Sequence, residues 1–460
     1  MDNITNSTTQ LDTNNLAFKN MCKKATACYN IDSNEYSQYR VKRGLRNSDG
    51  SGVLAGLSNI SEVHGYVVRE SEKAPDEGSL SYRGHDIRNL TKSFGINNRF
   101  GFEEISYLLL FGKLPTKDEL VEFCNFLAES RELPPFFTED MILKSPSRDI
   151  MNKMSRSVLS LYSYDNNPDD CSVENVLRQS IQLLARIPMV AAYAYSTKIH
   201  YYDHKSLILH QPKPELSIAE NLLRMLSKNK QFTELDAEIL DTALMLHAEH
   251  GGGNNSTFTC RVLSSSGTDT YSAIGGAICS LKGPKHGGAN AQVVKMMDNI
   301  MKNVQNWENE DEIYDYLVKI VKKKANDRSG LIYGMGHAIY TLSDPRCVIL
   351  KQKAEQLSKQ TGLENEFELY NRVENIAPKV FADVKHNNKV ICANVDFYSG
   401  FVYRMLKIPP EMYTPLFAIS RTAGWCAHRM EEIISGGRII RPAYKSLCRN
   451  STEYIPIDER

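Results

Sequence analysis

The sequence has no excess of charge of either sign. Lys and Arg together number 55 among the 460 residues, and Asp and Glu also number 55. A chain without a net basic field has no general attraction for nucleic acid or for an anionic membrane surface. We therefore predict neither a nucleic-acid nor a membrane partner, and we expect any anionic ligand to be held by a few local cations.

Long apolar runs are also missing, and we expect no targeting leader. The segments SYLLLF at 106–111 and MVAAYAY at 189–195 are far shorter than the roughly 20 residues that cross a bilayer. The first fifteen residues are polar and partly acidic, unlike secretory or transit peptides. These absences predict a cytoplasmic protein.

Paired cysteines and complete zinc motifs are absent as well. None of the ten cysteines forms a C-x-x-C pair, so we expect reduced thiols. The H-A-E at 247–249 matches half of a zinc deaminase signature, but no P-C-x-x-C follows it, and there is no H-E-x-x-H. We predict no metal site, and a zinc-dependent hydrolase is the weakest functional alternative.

The patterns that are present are mostly helical. Two short strand-like stretches, at 65–68 and 79–84, follow a polar N-terminal extension of uncertain role at 1–60. Beyond them, apolar residues recur at helical spacing: Gly112 predicts one helix end, Thr116 the next start, and DAEILDTALMLHAEH at 236–250 a further helix. A chain of this length can form two or more domains. The sequence predicts a mainly α protein.

The stretch GPKHGGANAQ surrounds His286 with three glycines and a proline just before a helical pattern. The positive potential at a helix N-terminus disfavours a charged imidazole. A neutral His286 could donate a hydrogen bond to an oxygen that becomes negative during a reaction. The alternative is a histidine that merely caps a Gly-Pro turn.

Further isolated polar residues lie in glycine-rich or apolar surroundings. In LHAEHGGGNNSTF, His247 continues an apolar stripe, which is typical of a core histidine, and His250 follows beside the glycines. His337 follows two glycines within IYGMGHAIYTLSDPR, Arg346 ends the same segment, and Asp396 lies in NVDFYSG.

Two more arginines stand near the C-terminus. Arg421 is embedded in the apolar helical segment AISRTAGW, and Arg441 precedes a proline in RIIRPAY. A buried arginine needs an anionic partner, either a protein carboxylate or a ligand. The basic run VKKKAN at 321–326 could form a phosphate patch, but we interpret it as a solvated helix end.

Taken together, these motifs resemble the citrate synthase family. GPKHGGAN, YGMGHAIYTLSDPR, NVDFYSG and ISRTAGW occur in the family's order, supported by LSYRGHDI, FEEISYLLLFGKLP and HAEHGGGNNSTF, and the resemblance covers about 80–442. It implies an all-α homodimer with a large domain, here 61–281 plus 408–460, and a smaller closing domain at 282–407. It also implies a coenzyme A thioester as substrate and no permanently bound cofactor.

The resemblance also implies a role for each matching residue. Asp396 would remove a methyl proton from acetyl-CoA, and His286 would hydrogen-bond the thioester carbonyl as it becomes enolate-like. His337 would contact and protonate the ketone oxygen of oxaloacetate. His250 would orient oxaloacetate, and three arginines would hold carboxylates, the last from the other subunit: Arg346, Arg421 and Arg441.

Elementary chemistry agrees with these roles. A methyl group beside a thioester is a weak acid, so an aspartate needs a positioned donor that stabilises the enolate. Two carboxylates on a small substrate favour the planar bidentate donor of arginine over lysine. Water must be excluded until condensation is complete, and three glycines could serve as hinges for closure: Gly283, Gly287 and Gly288.

The chain departs from the family pattern at three positions. Many members carry a basic residue where this chain has Thr341, so the grip on the coenzyme A phosphates passes to other residues, with Lys282 and Lys285 as candidates. Relatives also carry Tyr at the position of His85 and an acidic residue at the position of Gly251.

Two alternatives remain open. A 2-methylcitrate synthase performs the same condensation with propionyl-CoA, and one added methyl is worth only about 1–3 kcal/mol of discrimination in a pocket. A non-catalytic oligomeric scaffold could retain the fold, although it would have no need for the histidine and aspartate set.

Overall fold

The computed structural model describes residues 11–69, 72–96, 101–386, 390–448 and 453–460. Residues 1–10, part of the predicted extension, lie outside this range. The chain divides into two compact units, one ending at Ala55 and one beginning at Gly56. The first unit contains helices α1 (Leu16–Cys28) and α2 (Ser33–Gln38), neither of which buries a side chain. The described part of this unit therefore has no helical core of its own.

The second unit opens with a small antiparallel sheet. Strand β1 (Ser61–Arg69) pairs with β2 (Glu72–Tyr82), which pairs with the two-residue strand β3 (His85–Asp86). The predicted strands at 65–68 and 79–84 are confirmed within β1 and β2, except that β2 ends at Tyr82. The β1–β2 register is interrupted after the pair His64–Ser79 and resumes at Tyr66–Pro75.

Fifteen further α-helices account for most of the rest of the described chain, which confirms a mainly α fold. They are α3 (Ile87–Ile96), α4 (Phe102–Phe111), α5 (Lys117–Glu129), α6 (Ile150–Leu161), α7 (Val173–Asp203), α8 (Ile218–Leu226), α9 (Glu234–His247), α10 (Asn255–Ser265), α11 (Thr270–Lys282), α12 (Ala289–Asn303), α13 (Glu310–Val321), α14 (Pro345–Thr361), α15 (Glu364–Lys385), α16 (Val395–Met405) and α17 (Tyr413–Ile434). In the part of the chain that is described, none of these helices is long and apolar enough to cross a membrane.

Local sequence signals explain several helix ends. Gly112 follows α4 in the left-handed conformation, with φ 81°, as glycine does at helix C-termini. Thr116 caps α5 in a reciprocal capping box with Glu119. Both predicted boundaries are confirmed.

The prediction that one helix runs to His250 is wrong, because α9 ends at His247. The phenol of Tyr82 inserts into the ladder: it donates to Met245 O at 3.0 Å and accepts from the Glu249 N–H at 3.3 Å. A continued helix would have joined these two backbone groups directly. Interruption by a distant side chain releases His250 from the helix.

Helix α17 forms the centre of the second unit. It is buried on nearly all sides and packs against α4, α7, α9, α10, α11 and α12. A helix that is apolar all round is typical of such a central position. Helices α14 and α16 pack together, and α16 also packs against α12, which contacts α17. The site residues come from these two groups of helices and the loops between them.

The division into a large domain (61–281 plus 408–460) and a closing domain (282–407) stays a prediction.

Candidate active site

His286 lies in the turn between α11 and α12, partly buried. The turn is tight, because the His286 N–H donates to Gly283 O and the Gly287 N–H donates to Leu281 O, both at 2.9 Å. A side chain at Gly287 would overlap Leu281 O and the methyl group of Thr414. Close backbone packing therefore explains this glycine, whereas Gly283 and Gly288 have ordinary negative φ values.

Hydrogen bonds fix the tautomer of His286. Its Nε2 accepts from the backbone N–H of Ser256 at 3.3 Å and lies 3.0 Å from Ser256 Oγ. A nitrogen that accepts a backbone N–H carries no proton, so the neutral ring holds its proton on Nδ1. Burial, assisted by the charge of Arg421, lowers the pKa of His286 to about 4. His286 is therefore a neutral donor through Nδ1 at physiological pH.

Ser256 is itself fixed by Trp425, whose indole Nε1–H donates to Ser256 Oγ at 3.2 Å. Ser256 is fully buried at the start of α10, and Trp425 is fully buried on α17. The orientation of His286 thus rests on two rigid helices, as a preorganised hydrogen-bond donor requires.

Asp396 lies in the first turn of α16, where Asn394 caps the helix by accepting the Asp396 N–H at 3.0 Å. Its Oδ1 is buried and has no hydrogen-bond partner among the described residues. Burial raises the pKa of Asp396 to about 6, with Asp344 acting in the same direction and Arg346 and Arg421 opposing it. An ionised, poorly solvated carboxylate with this pKa suits a general base near neutral pH.

His337 lies in the loop that precedes α14. Its Nδ1 accepts the backbone N–H groups of Ile339 at 3.1 Å and Tyr340 at 3.2 Å. A neutral ring in this position carries its proton on Nε2. The ring stacks on Tyr340 with centroids 4.7 Å apart and meets the edge of the His250 ring at 5.2 Å.

His250 is buried beside the same tyrosine, with Nε2 at 3.2 Å from Tyr340 Oη. Burial, together with the charges of Arg346 and nearby groups, lowers the pKa of His250 well below its usual value. His250 is therefore neutral. Tyr340 joins His250 and His337 into one cluster, which we call the tyrosine cluster.

Arg346, at the start of α14, is buried and forms an ion pair with Asp344. Its Nε donates to Asp344 Oδ1 at 3.0 Å and its Nη2 donates to Asp344 Oδ2 at 2.7 Å. Burial opposes the charge, but Asp344 more than compensates and raises the pKa of Arg346 above its ordinary value. The guanidinium also lies 5.5 Å from the Tyr340 ring centroid, and we therefore include Arg346 in the tyrosine cluster.

Arg421 is equally buried on α17, but its pairing is incomplete. Nε donates to His247 O at 2.6 Å, whereas Nη1 and Nη2 have no hydrogen-bond partner among the described residues. Burial lowers the pKa of Arg421 to about 10. Two adjacent unpaired donors on one guanidinium match the two oxygens of a carboxylate.

Phe417 joins Arg421 to two histidines. The guanidinium lies 4.8 Å from the phenyl centroid, and the rings of His247 and His286 meet it edge-on at 4.8 Å and 6.2 Å. We call these four residues the phenylalanine cluster. His247 was interpreted as a core histidine, and it is buried, with its Nδ1 2.8 Å from Ala243 O.

Six of the seven predicted site residues are connected by these contacts and charges. Asp396 is linked to both clusters, because the charges of Arg346 and Arg421 act on its pKa. Sequence reasoning missed Tyr340, Phe417 and Ser256. Phe417 lies four residues before Arg421 on one helix, a spacing that could have indicated the contact.

Arg441 is the exception. It is exposed in the non-helical segment that follows α17, and no contact among the described residues joins it to either cluster. Its predicted contribution to the site of a partner subunit stays a prediction.

The candidate phosphate-binding lysines and two of the positions that differ from the family pattern lie in different parts of the structure. Lys282 and Lys285 are exposed near His286, and Lys282 Nζ lies 3.6 Å from Asp149 Oδ2. His85 is exposed in β3, and Gly251 has φ 84°, which suits glycine. The described residues contain no group of three or more His, Cys, Asp or Glu that could hold a metal ion.

Known proteins are similar to this chain over most of its length. The family model "Citrate synthase, C-terminal domain" matches residues 48–443. The chain is 35% identical to a citrate synthase of Synechocystis sp., covering 89% of this chain and 93% of that one. It is 34% identical to citrate synthase 2 of Bacillus subtilis, covering 89% and 98%. A 2-methylcitrate synthase of Shewanella oneidensis is 31% identical, covering 83% and 92%.

Solved structures are similar over the same range. Citrate synthase from Thermoplasma acidophilum, in a ternary complex with carboxymethyl coenzyme A and oxaloacetate, matches with a TM-score of 0.74 and 25% identity, covering 91% of this chain and 99% of that one. Citrate synthase from Thermotoga maritima matches with a TM-score of 0.70 and 30% identity, covering 91% and 99%.

Proposed function

The chain belongs to the citrate synthase family, and from that premise we propose that it condenses acetyl-CoA with oxaloacetate and hydrolyses citryl-CoA to citrate and coenzyme A. It is an enzyme of the acyltransferase class. Its substrates include a coenzyme A thioester, and it needs no permanently bound cofactor.

The unpaired guanidinium of Arg421 is the observation that carries the proposal. A buried cation with two unused donors is costly unless an anion binds it. Arg346 is also buried, and it is paired with Asp344. Oxaloacetate, with a carboxylate at each end, supplies anions that both arginines can hold.

Proton removal is the first chemical step. The Asp396 carboxylate takes one proton from the thioester methyl, and the electrons of that C–H bond move into an enolate. The Nδ1–H of His286 donates to the thioester oxygen as negative charge develops there. Because His286 is already neutral and fixed by Ser256, this stabilisation needs no reorganisation.

Carbon–carbon bond formation follows. The enolate carbon attacks the ketone carbon of oxaloacetate, and the ketone oxygen gains the proton that His337 carries on Nε2. His250 and Tyr340 orient the ketone end from the tyrosine cluster. Water then attacks the thioester carbonyl, the C–S bond breaks, and the sulfur leaves as the protonated thiol of coenzyme A.

The assembly and location are parts of the same proposal. The chain forms a homodimer, in which the exposed Arg441 reaches the site of the other subunit. The domain at 282–407 closes over the substrates against the remainder of the second unit, and the enzyme acts in the cytoplasm.

A paired thioester assay tests the proposed function. Thiol release is measured with oxaloacetate and either acetyl-CoA or propionyl-CoA at matched concentrations. We expect a higher kcat/KM with acetyl-CoA. A preference for propionyl-CoA would make the chain a 2-methylcitrate synthase, and no release with either thioester at any pH would indicate a non-catalytic scaffold.

A further inference from the structure

The β1–β2 hairpin contains a gap in its hydrogen-bond ladder. Between the pairs His64–Ser79 and Tyr66–Pro75, Gly65 alone on β1 faces three residues of β2, at 76–78. An interruption of this kind leaves backbone N–H and C=O groups without strand partners. We call Gly65 and residues 76–78 the hairpin gap.

Two hydroxyl groups from the loop between His337 and α14 fill the gap. Thr341 Oγ1 accepts the Asp76 N–H at 3.1 Å and donates to Gly65 O or Asp76 O. Ser343 Oγ accepts the Gly78 N–H at 3.2 Å and donates to Glu77 Oε2. The backbone groups freed by the irregular register are therefore paired by a segment more than 260 residues away in sequence.

The fit is also steric. A Cβ on Gly65 would lie 2.7 Å from the Cα of Tyr340, and a Cβ on Gly78 would overlap the Ser343 carbonyl oxygen and the Tyr340 ring. Both glycines have φ outside the left-handed region. Close approach of the loop, not an unusual backbone angle, is what requires glycine at these two positions.

The segment held in the gap directly adjoins the chemistry. The Tyr340 N–H, next to Thr341, donates to His337 Nδ1 at 3.2 Å, and the Tyr340 ring stacks on His337. Tyr340 Oη also contacts His250. Displacement of the Tyr340 backbone would rotate His337 and turn its Nε2–H away from the substrate.

We propose that the hairpin gap positions the catalytic loop, with Thr341 and Ser343 as positioning residues for His337. This assigns Thr341 a function within the protein in place of the phosphate contact expected of a basic residue there. The proposed domain boundary runs between these partners, so the same contacts tie the closing domain to the large one. The kinetic part of the inference rests on the proposed function.

Matched variants at Thr341 provide the kinetic test. Thr341→Val keeps the shape and removes the hydroxyl, whereas Thr341→Ser keeps the hydroxyl. A small misplacement of a catalytic group can cost up to about 10²-fold. We expect Thr341→Val to lower kcat by about 10-fold or more with KM for acetyl-CoA nearly unchanged, and Thr341→Ser to restore most of the loss. The control is Thr361→Val, because that hydroxyl bonds only within its own helix, to Leu357 O and Ser358 O.

A second readout does not depend on turnover. Amide hydrogen exchange is measured in the full-length protein. The Asp76 amide should be protected in the wild type, should exchange at least 10-fold faster in Thr341→Val, and should be protected again in Thr341→Ser. Ser343→Ala should do the same for the Gly78 amide. The double variant with Ser343→Ala and Thr341→Val should lower kcat by less than the product of the two single effects. Both substitutions act through the same contact between the loop and the hairpin gap.

The outcomes separate this inference from the proposed function. If the wild type releases no thiol, the proposed function fails and the exchange measurement still decides whether the gap holds the loop. The positioning role is overturned if Thr341→Val leaves kcat and Asp76 exchange within two-fold of wild type. It is also overturned if Thr341→Ser or Thr361→Val loses as much activity as Thr341→Val.

Discussion

The two clusters of the site differ in how completely their polar groups are satisfied. In the tyrosine cluster, His337 Nδ1 accepts two backbone N–H groups and Arg346 has both oxygens of Asp344. In the phenylalanine cluster, two buried guanidinium nitrogens of Arg421 have no hydrogen-bond partner among the described residues. The same is true of Asp396 Oδ1, and the charges of Arg346 and Arg421 both act on the pKa of Asp396.

This difference separates structural pairing from binding capacity. Removing one partner of a buried ion pair such as Arg346–Asp344 strongly destabilises the folded protein, because the other charge stays buried without its partner. A buried charge with unpaired donors, such as Arg421, lowers the stability of the ligand-free protein. Binding of an anion restores that stability. The tyrosine cluster is therefore prearranged, and the phenylalanine cluster with Asp396 is where substrate binding and proton transfer should be concentrated.

The largest stability effect is expected in the satisfied cluster. Arg346→Leu leaves the Asp344 carboxylate buried without its partner and should lower the free energy of unfolding by about 3–5 kcal/mol. Urea unfolding followed by far-UV circular dichroism measures it. Arg346→Leu with Asp344→Asn is the control: it removes the carboxylate charge, keeps an oxygen that can accept a backbone N–H where Asp344 accepts those of Arg346 and Val395, and should recover part of the loss. A single variant as stable as wild type would mean that Arg346 is not held by Asp344.

The largest catalytic effect is expected at the unpaired carboxylate. Asp396→Asn keeps the shape but removes the base, so kcat should fall by at least about 10²-fold. Initial rates of thiol release at saturating substrates measure it. Asp298→Asn, which changes a half-exposed aspartate paired with Arg404 away from the site, is the matched control. A near-normal rate in Asp396→Asn would remove its assignment as the base.

Replacement of Arg421 should affect substrate binding more than stability, unlike replacement of Arg346. Arg421→Leu removes a charge-assisted contact to a substrate carboxylate, worth about 1.5–3 kcal/mol, and should raise KM for oxaloacetate by about 10–100-fold. The free energy of unfolding without ligand should stay the same or increase, because a buried unpaired charge is lost. Oxaloacetate should raise the Tm of wild type but not of the variant. An unchanged KM for oxaloacetate would contradict the carboxylate role.

The smallest effect is a pH dependence of the unpaired carboxylate. Because the pKa of Asp396 is raised to about 6, its ionised fraction increases through that value. Hence kcat/KM should rise between about pH 5 and pH 7 and then level off, while His286, with its pKa lowered to about 4, stays neutral.

The contribution of Asp396 to protein stability should fall as pH rises, whereas kcat/KM should increase. Burial raises the pKa of the folded carboxyl to about 6, so the folded state binds more protons than the unfolded state between about pH 4 and pH 6. The stability that this group contributes is therefore lost as pH rises through that window. Asp396→Asn should lack the loss, and its Tm relative to wild type should increase from pH 4 to pH 7. A difference that does not vary with pH would show that the carboxyl is not desolvated.

Much of this arrangement could be predicted from local sequence. The turn at His286 and the helix boundaries at Gly112 and Thr116 depend on neighbouring residues, and the structure confirms them. The apolar setting of Arg421 correctly indicated burial, because an arginine flanked by apolar residues at helical spacing cannot reach solvent.

What could not be predicted depends on residues far apart in the chain. The end of α9 is set by Tyr82, more than 160 residues away from the carbonyl it contacts. The hydrogen-bond partners of Thr341 are backbone groups of the hairpin gap, and the irregular register of that hairpin has no local sequence signal. The orientation of His286 requires the backbone N–H and the hydroxyl of Ser256, which lies 30 residues earlier in the chain.

Exchange of the thioester methyl protons tests the central claim most directly. Acetyl-CoA is incubated in deuterated water with the enzyme and malate, which has the two carboxylates of oxaloacetate but a hydroxyl in place of the ketone. Loss of the methyl proton signal is followed by NMR. We expect wild type to exchange the methyl protons without condensation, and Asp396→Asn to do so at least about 10²-fold more slowly. Equal exchange rates in the two proteins would contradict the claim that the unpaired carboxylate of Asp396 removes the proton.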